Sequence, residues 1–489
     1  MKFPVLSKTG AIAVVTVGLM WALSSVQSLV HERQARQQEA ERNVANSLAG
    51  SQVVLGPALV MACSETWLKG YEMAGDHKPI LETTPRIVRL PASQLSVDTT
   101  VGMTPRHRGI FKVNGYSART QLQAQWADLS GLTPQPERER GKVTCGEPVV
   151  AMALSDARGI RVAEIKVNGV SASVLPGSAL SRPSVGFHAA LPAAALSGSG
   201  PMKIEVNLEL AGTQSLSVVP IADSTSVKMA ADWPHPAFGG RFLPSERHIT
   251  DQGFDATWHV TSLASTAQQA WLNGATLCPA LSQSEPIANG RYADTSEPGT
   301  QAEAQGDGAC VETFGVTFVD PVNAHVLSDR ATKYGLLFIA LTFVGVGLVE
   351  VLKRLRVHPI QYLLVGAALA VFFLLLVSLS EHLAFGLAYL AAALACTLLL
   401  AFYGTFVLQG WRAGLGFGSG IAGLFATLYA LLQMEQTALV LGSLALFLVL
   451  AVIMFATRRL NWYDLMAQVR GDPGRADRAP EAHAQGDAA

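Results

Sequence analysis

The chain has 489 residues, of which 49 % are hydrophobic and 15 % are charged, and its formal net charge is −1. Soluble domains usually contain about 25 % charged residues, so charges are scarce here for an ordinary apolar content. This balance excludes an intrinsically disordered chain, and five cysteines in this length exclude a disulfide-dense mini-protein. The net charge provides no broad basic surface, so nucleic acid is not an expected partner.

The first apolar run covers residues 10–30 and is long enough to cross a bilayer as a helix. Lys2 and Lys8 precede it, which favours a cytoplasmic N-terminus. No clear small-x-small cleavage site follows the run, so residues 1–30 are predicted to be an uncleaved transmembrane anchor rather than a signal peptide. The polar residues 31–48 are predicted to continue the anchor as a charged helix.

Residues 31–331 contain short runs of alternating apolar and polar residues between Gly, Pro and Asn breaks. This period-two alternation predicts antiparallel β-structure. The predicted strands lie within 51–63, 86–90, 109–113, 118–126, 159–167, 202–210, 216–221, 226–231, 254–260 and 314–319. We therefore expect residues 31–331 to form one or two β-rich domains outside the cytoplasmic membrane.

Two Asn-Gly pairs, Asn114-Gly115 and Asn168-Gly169, predict two-residue hairpin turns, because these residues supply the positive φ that a type I′ turn needs. Each pair stands in a V-N-G-x-S-A segment, and the two segments are 54 residues apart. The match fits a duplicated β-unit, and it fits two ordinary hairpins at least as well.

Four of the five cysteines lie in the predicted β-rich region: Cys63, Cys145, Cys278 and Cys310. An even external set fits two disulfides in an oxidising compartment, and three pairings are open. We favour Cys63–Cys145 and Cys278–Cys310, because the second bridge would close a flexible loop over 279–309 that is rich in Gly, Ser, Glu and Gln. The cysteines show no Cys-x-x-Cys and no close Cys/His spacing, so neither a metal nor another cofactor is expected.

Residues 332–457 contain only eight charged residues in 126 positions. They divide into five apolar runs of about 20 residues each, the length of a helix that crosses the hydrocarbon core. The runs cover 334–352, 359–379, 384–408, 413–432 and 437–456. The predicted fold is thus a membrane protein with six transmembrane α-helices, one N-terminal and five C-terminal, and a large β-rich periplasmic domain inserted between helices 1 and 2. Residues 458–489 predict a mostly disordered cytoplasmic tail.

Basic residues follow the second, fourth and sixth runs: Lys353, Arg354 and Arg356, then Arg412, then Arg458 and Arg459. The connections 380–383 and 433–436 contain no Lys or Arg. Under the positive-inside rule this alternation predicts that both termini are cytoplasmic and that 31–331 is periplasmic.

Ionisable residues near the predicted spans are candidates for function. Glu350 stands about one helical turn before the bases at 353–356, which favours interfacial pairing with them over a proton relay. Glu381 and His382 stand in a short external turn, which favours a solvated loop position over a translocation site. The predicted spans carry no charge at their centres, which argues against a proton-driven pump or a voltage sensor.

The fifth span is rich in glycine, with overlapping Gly-x-x-x-Gly steps at 410, 414, 416, 418 and 420 and a further glycine at 423. This spacing allows helices to approach closely and favours packing within the bundle. A homo-oligomer formed through this helix and a bent, transporter-like helix are the alternatives.

The sequence contains no phosphate-binding loop, nucleophile elbow, H-E-x-x-H or dinucleotide fingerprint, so a non-enzymatic protein is expected. The most distinctive external motif is Asp232-Trp233-Pro234-His235-Pro236. Its prolines restrict the backbone and favour a rigid corner around a buried Trp233. A partner-docking patch that uses Trp233 and His235 is the alternative.

Several motifs together resemble the CreD family of inner-membrane proteins. In the membrane block they are Asp320-Pro321-Val322, RATKYGLLFI at 330–339, HPIQYLLVG at 358–366 and LSEH at 379–382. In the external region they are RHRGIFKV at 106–113, SDARGI at 155–160, DWPHP at 232–236 and FLP at 242–244. The resemblance extends from about residue 50 to about residue 465. It implies a Gram-negative inner-membrane protein linked to envelope integrity, to control by a sensor kinase and response regulator, and to responses to colicins and β-lactams. It implies no catalytic residues.

Three functions follow as hypotheses. The favoured one is a bilayer-anchored protein that supports envelope integrity and the envelope-stress response by binding an envelope component or a protein partner through its periplasmic domain. The alternative is a transporter or lipid-handling protein that uses the five-helix domain, with Glu350, Glu381 and His382 as candidate residues. An envelope-modifying enzyme is the third, and it rests only on the external position of the large domain.

Overall fold

The computed structural model describes residues 4–458 except 72–78, 110, 181–183, 193–195, 197–199, 278–309, 319, 321–323, 354–356 and 435–437. The chain divides into two compact units. The membrane unit comprises Met1–Arg36 and Val322–Ala489, and the β-rich unit comprises Gln37–Pro321. The predicted flexible loop at 279–309 and nearly all of the predicted tail at 458–489 lie outside the described residues.

The β-rich unit contains nineteen strands in its described residues. They are β1 (Gln52–Tyr71), β2 (Pro79–Leu90), β3 (Gln94–Met103), β4 (Arg106–Arg108), β5 (Phe111–Val113), β6 (Gly115–Trp126), β7 (Lys142–Cys145), β8 (Val149–Leu154), β9 (Ile160–Val167), β10 (Val170–Ala172), β11 (Val174–Pro176), β12 (Gly186–Ala190), β13 (Met202–Thr213), β14 (Ser215–Val218), β15 (Ser224–Ala231), β16 (Ala237–Gly240), β17 (Glu246–Thr250), β18 (Gly253–Thr261) and β19 (Phe314–Thr317).

The strands form two large sheets and a small hairpin. The first sheet has the order β11-β12-β8-β1-β14-β19-β16, and β2 and β7 also pair with β1. The second has the order β10-β9-β13-β6-β3-β15-β18-β17, and β4 pairs with β5 alone. Exposed and buried residues alternate along β3, as expected for a sheet with one solvated and one buried face.

The buried faces of both sheets contribute to one hydrophobic core. Leu59 and Val150 come from the first sheet, and Leu122 and Val206 come from the second. Trp258 of β18 lies 5.7 Å from the ring of Phe314 in β19, so an aromatic contact joins the two sheets. The predicted β-rich fold is therefore confirmed.

Only one of the two predicted Asn-Gly turns forms. Asn168 and Gly169 have φ values of 48° and 81°, and Val167 pairs with Val170 across the turn. The prediction is wrong at Asn114-Gly115. The strand before this pair, β5, is antiparallel to the earlier strand β4, and it does not pair with β6, which begins at Gly115. Asn114 instead donates its side-chain amide to the Phe318 carbonyl at 3.2 Å. The two matching segments thus have different structures, which argues against a duplicated unit.

The predicted Cys63–Cys145 disulfide is present. The two residues are directly opposed on β1 and β7 and are 82 positions apart in the sequence. Cys310 is also disulfide-bonded, but Cys278, its predicted partner, lies outside the described residues. Cys396 is a buried free thiol, as its place in a predicted span requires.

The motif that begins at Ser155 holds the start of the β-rich unit. Asp156 accepts hydrogen bonds from the Gly50 N–H and from the Arg158 side chain, and Arg158 also donates to the Asn46 carbonyl. Burial alone would raise the pKa of Asp156, but the hydrogen bonds from Arg158 and Gly50 outweigh it and lower the pKa below its usual range. The motif therefore ties the segment at 46–50 to the sheets.

The described helices are α1 (Pro4–Ser47), α2 (Ala267–Leu272), α3 (Ala324–Lys333), α4 (Gly335–Lys353), α5 (Pro359–Ser380), α6 (Phe385–Val407), α7 (Trp411–Gln433) and α8 (Ala438–Thr457). Within the described residues, five segments are long and apolar enough to cross a membrane: 10–47, 326–350, α5, α6 and α7. These are one N-terminal and four C-terminal candidate spans, so a membrane protein with a β-rich insertion is confirmed. The last predicted run is helical as α8, and its crossing of the bilayer stays a prediction.

Glycines of α7 pack within the bundle, as preferred from the sequence. A Cβ on Gly418 would lie 2.6 Å from Ala401 of α6, and one on Gly414 would lie 2.4 Å from Thr405 of α6. These two positions of α7 therefore require glycine for its close approach to α6. Gly416, Gly420 and Gly423 face open space. A homo-oligomer through that side of α7 stays a prediction.

Candidate functional site

A polar cleft of about 670 Å³ opens on the exposed face of the second sheet. It lies where one end of β3, β6, β15 and β18 comes together. Its polar lining consists of Thr100, Thr104, Ser117, Arg119, Asp232, Thr250, Gln252 and Asp255. Hydroxyl, amide, carboxylate and guanidinium groups thus share one concave surface.

The strand register explains why the sheet is concave here. Arg119 on β6 is directly opposite Thr100 on β3, which pairs with Ala230 on β15, which pairs with Asp255 on β18. Three strand spacings separate Arg119 from Asp255, or about 14 Å between their backbones. Because Thr100 and Ala230 are small, they form a low floor between two longer, oppositely charged side chains.

The charged groups at the two sides of this floor are unengaged within the described part of the chain. Neither Arg119 nor Asp255 makes a side-chain hydrogen bond or an ion pair there, and both are exposed. Nearby Glu209 is different, because it lies 3.7 Å from the guanidinium of Arg161 and accepts a hydrogen bond from Ser117. The site therefore presents one free cation and one free anion to a bound molecule.

The motif at 232–236 forms one rim of the cleft. Asp232 accepts a hydrogen bond from the Met103 N–H at 2.7 Å and so joins the ends of β3 and β15. Trp233 is buried, and its indole N–H donates to the His235 carbonyl at 2.8 Å. Trp233 is therefore buried, as predicted for this corner. His235 is exposed, and neither Trp233 nor His235 lines the cleft, whereas Asp232 does.

A second, shallower groove of about 340 Å³ continues the cleft across the same face. The two concavities share Thr100 and Arg119, and the groove adds Asp98, Gln121 and Asn207. Together they form an extended polar surface with Arg119 between the two parts. Such a surface offers donors and acceptors for several hydrogen bonds with a bound molecule.

The described residues contain no group of three or more His, Cys, Asp or Glu side chains arranged to hold a metal ion. Within the cleft, the carboxylate of Asp232 is already engaged with the backbone of Met103. The guanidinium, carboxylate, amide and hydroxyl groups of the cleft are suited to recognition by charge and hydrogen bonding.

The membrane-unit candidates occupy other positions. Glu381 was expected to be solvated, but its side chain is 13 % exposed and lies 3.1 Å from the Arg33 guanidinium, so that expectation is wrong. The reason is that α1 packs a cation against the short α5–α6 turn. His382, the next residue, is exposed.

Glu350 accepts a hydrogen bond from the Tyr362 hydroxyl at 2.9 Å and from the Val357 N–H at 3.3 Å. The bases expected to pair with it are Lys353, Arg354 and Arg356, and the side chains of all three lie outside what the structure describes. Glu350 and Glu381 are thus each held by a neighbouring element of the membrane unit.

Sequence reasoning missed Arg119, Thr100 and Asp255. Only their order across the sheet brings them together, and no local motif signals that order.

The chain matches one protein-family model, described as the inner membrane protein CreD, over residues 4–463. It is 31 % identical over 464 residues to the inner membrane protein CreD of Escherichia coli K12, covering 95 % of each chain. Among solved structures, an M1 zinc metallopeptidase from Deinococcus radiodurans matches 35 % of this chain and 38 % of its own length. That match has 12 % identity and a TM-score of 0.18, a likeness too small to support any inference about fold or activity.

Proposed function

The chain belongs to the CreD family of inner membrane proteins, and on this premise we propose that it supports cell-envelope integrity and the envelope-stress response. In this proposal the β-rich unit binds an envelope component or a protein partner through the polar cleft, and the apolar helices anchor the chain in the bilayer. The protein acts by binding and not by catalysis.

The proposed topology has cytoplasmic termini and a periplasmic β-rich unit. The alternation of Lys and Arg between the connections supports this orientation. The Cys63–Cys145 disulfide supports it independently, because structural disulfides persist in the periplasm and are rare in the cytosol.

The main support for the proposal comes from the charged side chains of Arg119 and Asp255. Two charged side chains flank a floor of small residues, and neither has an intramolecular partner in the described chain. Charge-assisted hydrogen bonds are the strong ones, so a ligand that bears an anionic group and a cationic or donor group would engage both sides at once. An envelope polymer or peptide that combines such groups fits this chemistry.

The alternative, transport or lipid handling by the membrane helices, would use Glu350, Glu381 and His382. In the structure, Arg33 forms an ion pair with Glu381, and the Tyr362 hydroxyl donates a hydrogen bond to Glu350. Such contacts are expected for carboxylates that stabilise the fold. These contacts favour the cleft over the carboxylates as the functional site.

Arg119→Glu is expected to abolish complementation. The test strain lacks this protein and has an altered sensitivity to colicins or β-lactams as a result. Removing a charged hydrogen-bonding group typically costs about 1.5–3 kcal/mol, so Arg119→Ala should weaken binding by at least about tenfold. Membrane abundance should stay unchanged, because the side chain is exposed.

Arg247→Ala is the matched control, because Arg247 is an exposed arginine on β17 of the same sheet and does not line the cleft. It should complement fully. Full complementation by Arg119→Glu at normal abundance would contradict the proposed function.

A further inference from the structure

We propose that a groove between α6 and α7 binds one acyl chain of a bilayer phospholipid. This site lies in the membrane unit and is independent of the polar cleft. Its volume is about 430 Å³, and its lining includes Gly386, Ala393 and Thr397 of α6 and Ala422, Ala426 and Tyr429 of α7.

The groove exists because small residues line up on both helices. Tyr389 and Phe425 lie beneath them, and the Tyr389 hydroxyl donates to the Phe425 carbonyl at 2.6 Å, which fixes the spacing of the two helices. Ala393 and Ala426 leave the space above this contact open. The hydrogen bond thereby holds the floor of the groove in place, and the small side chains above it leave space that a larger side chain would fill.

The dimensions match one leaflet. Gly386 to Thr397 spans eleven residue steps, or about 16 Å along the helix axis. Half of a 30 Å hydrocarbon core is about 15 Å. Because Gly386 is the second residue of α6, the groove starts at one boundary of the membrane and ends near its midplane.

The boundary end of the groove carries a hydroxyl. Tyr429 is 37 % exposed, and its oxygen would lie 3.3 Å from a Cβ at Gly386. The rings of Tyr429 and Tyr389 are 5.1 Å apart, and within the described residues the Tyr429 hydroxyl has no hydrogen-bond partner. Tyrosine is enriched at membrane interfaces, where its hydroxyl can reach polar groups. A phospholipid ester carbonyl lies at that depth and would accept the hydrogen bond.

The surroundings identify the occupant. Both helices are candidate membrane spans, so the groove faces hydrocarbon and not water. Below Tyr429 the lining is apolar except for Thr397. An acyl chain, which forms no hydrogen bonds, therefore suits this part of the groove. A flexible chain that fills the space regains the van der Waals contacts that an open groove lacks.

The test uses the full-length protein in nanodiscs of phosphatidylethanolamine that carries a diazirine midway along one acyl chain. After illumination, mass spectrometry locates the labelled residues. In the unaltered protein, segments 386–397 and 422–429 should take more label than the exposed faces of α5 and of the remainder of α6. Ala393→Phe should lower labelling of these segments by about fivefold, because the ring fills the groove.

Ala395→Phe is the matched control, since Ala395 is exposed on the same helix at nearly the same depth and does not line the groove. It should leave the pattern unchanged. Tyr429→Phe should reduce label in the groove by about two- to tenfold through loss of one hydrogen bond.

Even labelling of all lipid-facing helices in the unaltered protein would overturn the proposal, whether or not the variants fold. Equal effects of the Ala393 and Ala395 substitutions would also overturn it.

Discussion

Trp258→Ala is expected to lower the free energy of unfolding of the β-rich unit by about 4 kcal/mol, within the range of about 3–5 kcal/mol seen for large aromatic residues in cores. Trp258 is 1 % exposed and contacts Phe314 and Phe238, which belong to the opposite sheet. Its indole N–H also donates to the Phe242 carbonyl at 3.2 Å. Truncation therefore leaves a cavity between the sheets and an unpaired carbonyl.

The measurement is urea denaturation of the detergent-solubilised protein, followed by tryptophan fluorescence. Leu263→Ala is the control, because Leu263 is 97 % exposed and its loss should change stability by less than about 0.5 kcal/mol. A loss below about 1 kcal/mol for Trp258→Ala would contradict a core shared by the two sheets.

Replacing both Cys63 and Cys145 by serine is expected to cost about 4.5 kcal/mol, the chain-entropy value for a loop of 82 residues. The bridge joins β1 to β7 next to Glu65, whose buried carboxylate accepts the N–H groups of Glu137 and Arg138. The disulfide restricts the unfolded chain between residues 63 and 145, so its removal raises the conformational entropy of the unfolded state.

Urea denaturation with and without dithiothreitol measures this effect. The reductant should destabilise the unaltered protein by more than it destabilises the double variant, which still contains the disulfide of Cys310. A double variant as stable as the parent would show that the Cys63–Cys145 bridge contributes nothing to the fold.

The membrane segments could be predicted from the sequence because hydropathy over about 20 residues is a local property. Most strands could also be predicted, since alternation along one strand records which face is buried. The predicted turn at Asn114-Gly115 was wrong because β5, the strand before it, pairs with β4 and not with β6. The pairing of β6 depends on a strand that is distant in the sequence.

The candidate site could not be predicted for the same physical reason. Arg119, Thr100, Ala230 and Asp255 come from four separate strands and form one row only through the register of β6, β3, β15 and β18. The motif at 232–236 did indicate this region. Its Trp233 is buried and hydrogen-bonded within the corner, however, and the residue that lines the cleft is Asp232. Glu381 was misjudged because its partner, Arg33, is hundreds of residues away in the chain.

Photo-crosslinking in intact cells is the direct test of binding through the polar cleft. A photoreactive amino acid would replace Gln252 in the cleft or, as a control, Gln123, which is exposed on β6 of the same sheet outside both concavities. A specific adduct is expected from position 252, it should be lost when Arg119 is changed to glutamate, and none is expected from position 123. The absence of an adduct at 252 in cells where the protein complements, or equal adducts at both positions, would contradict binding through the cleft.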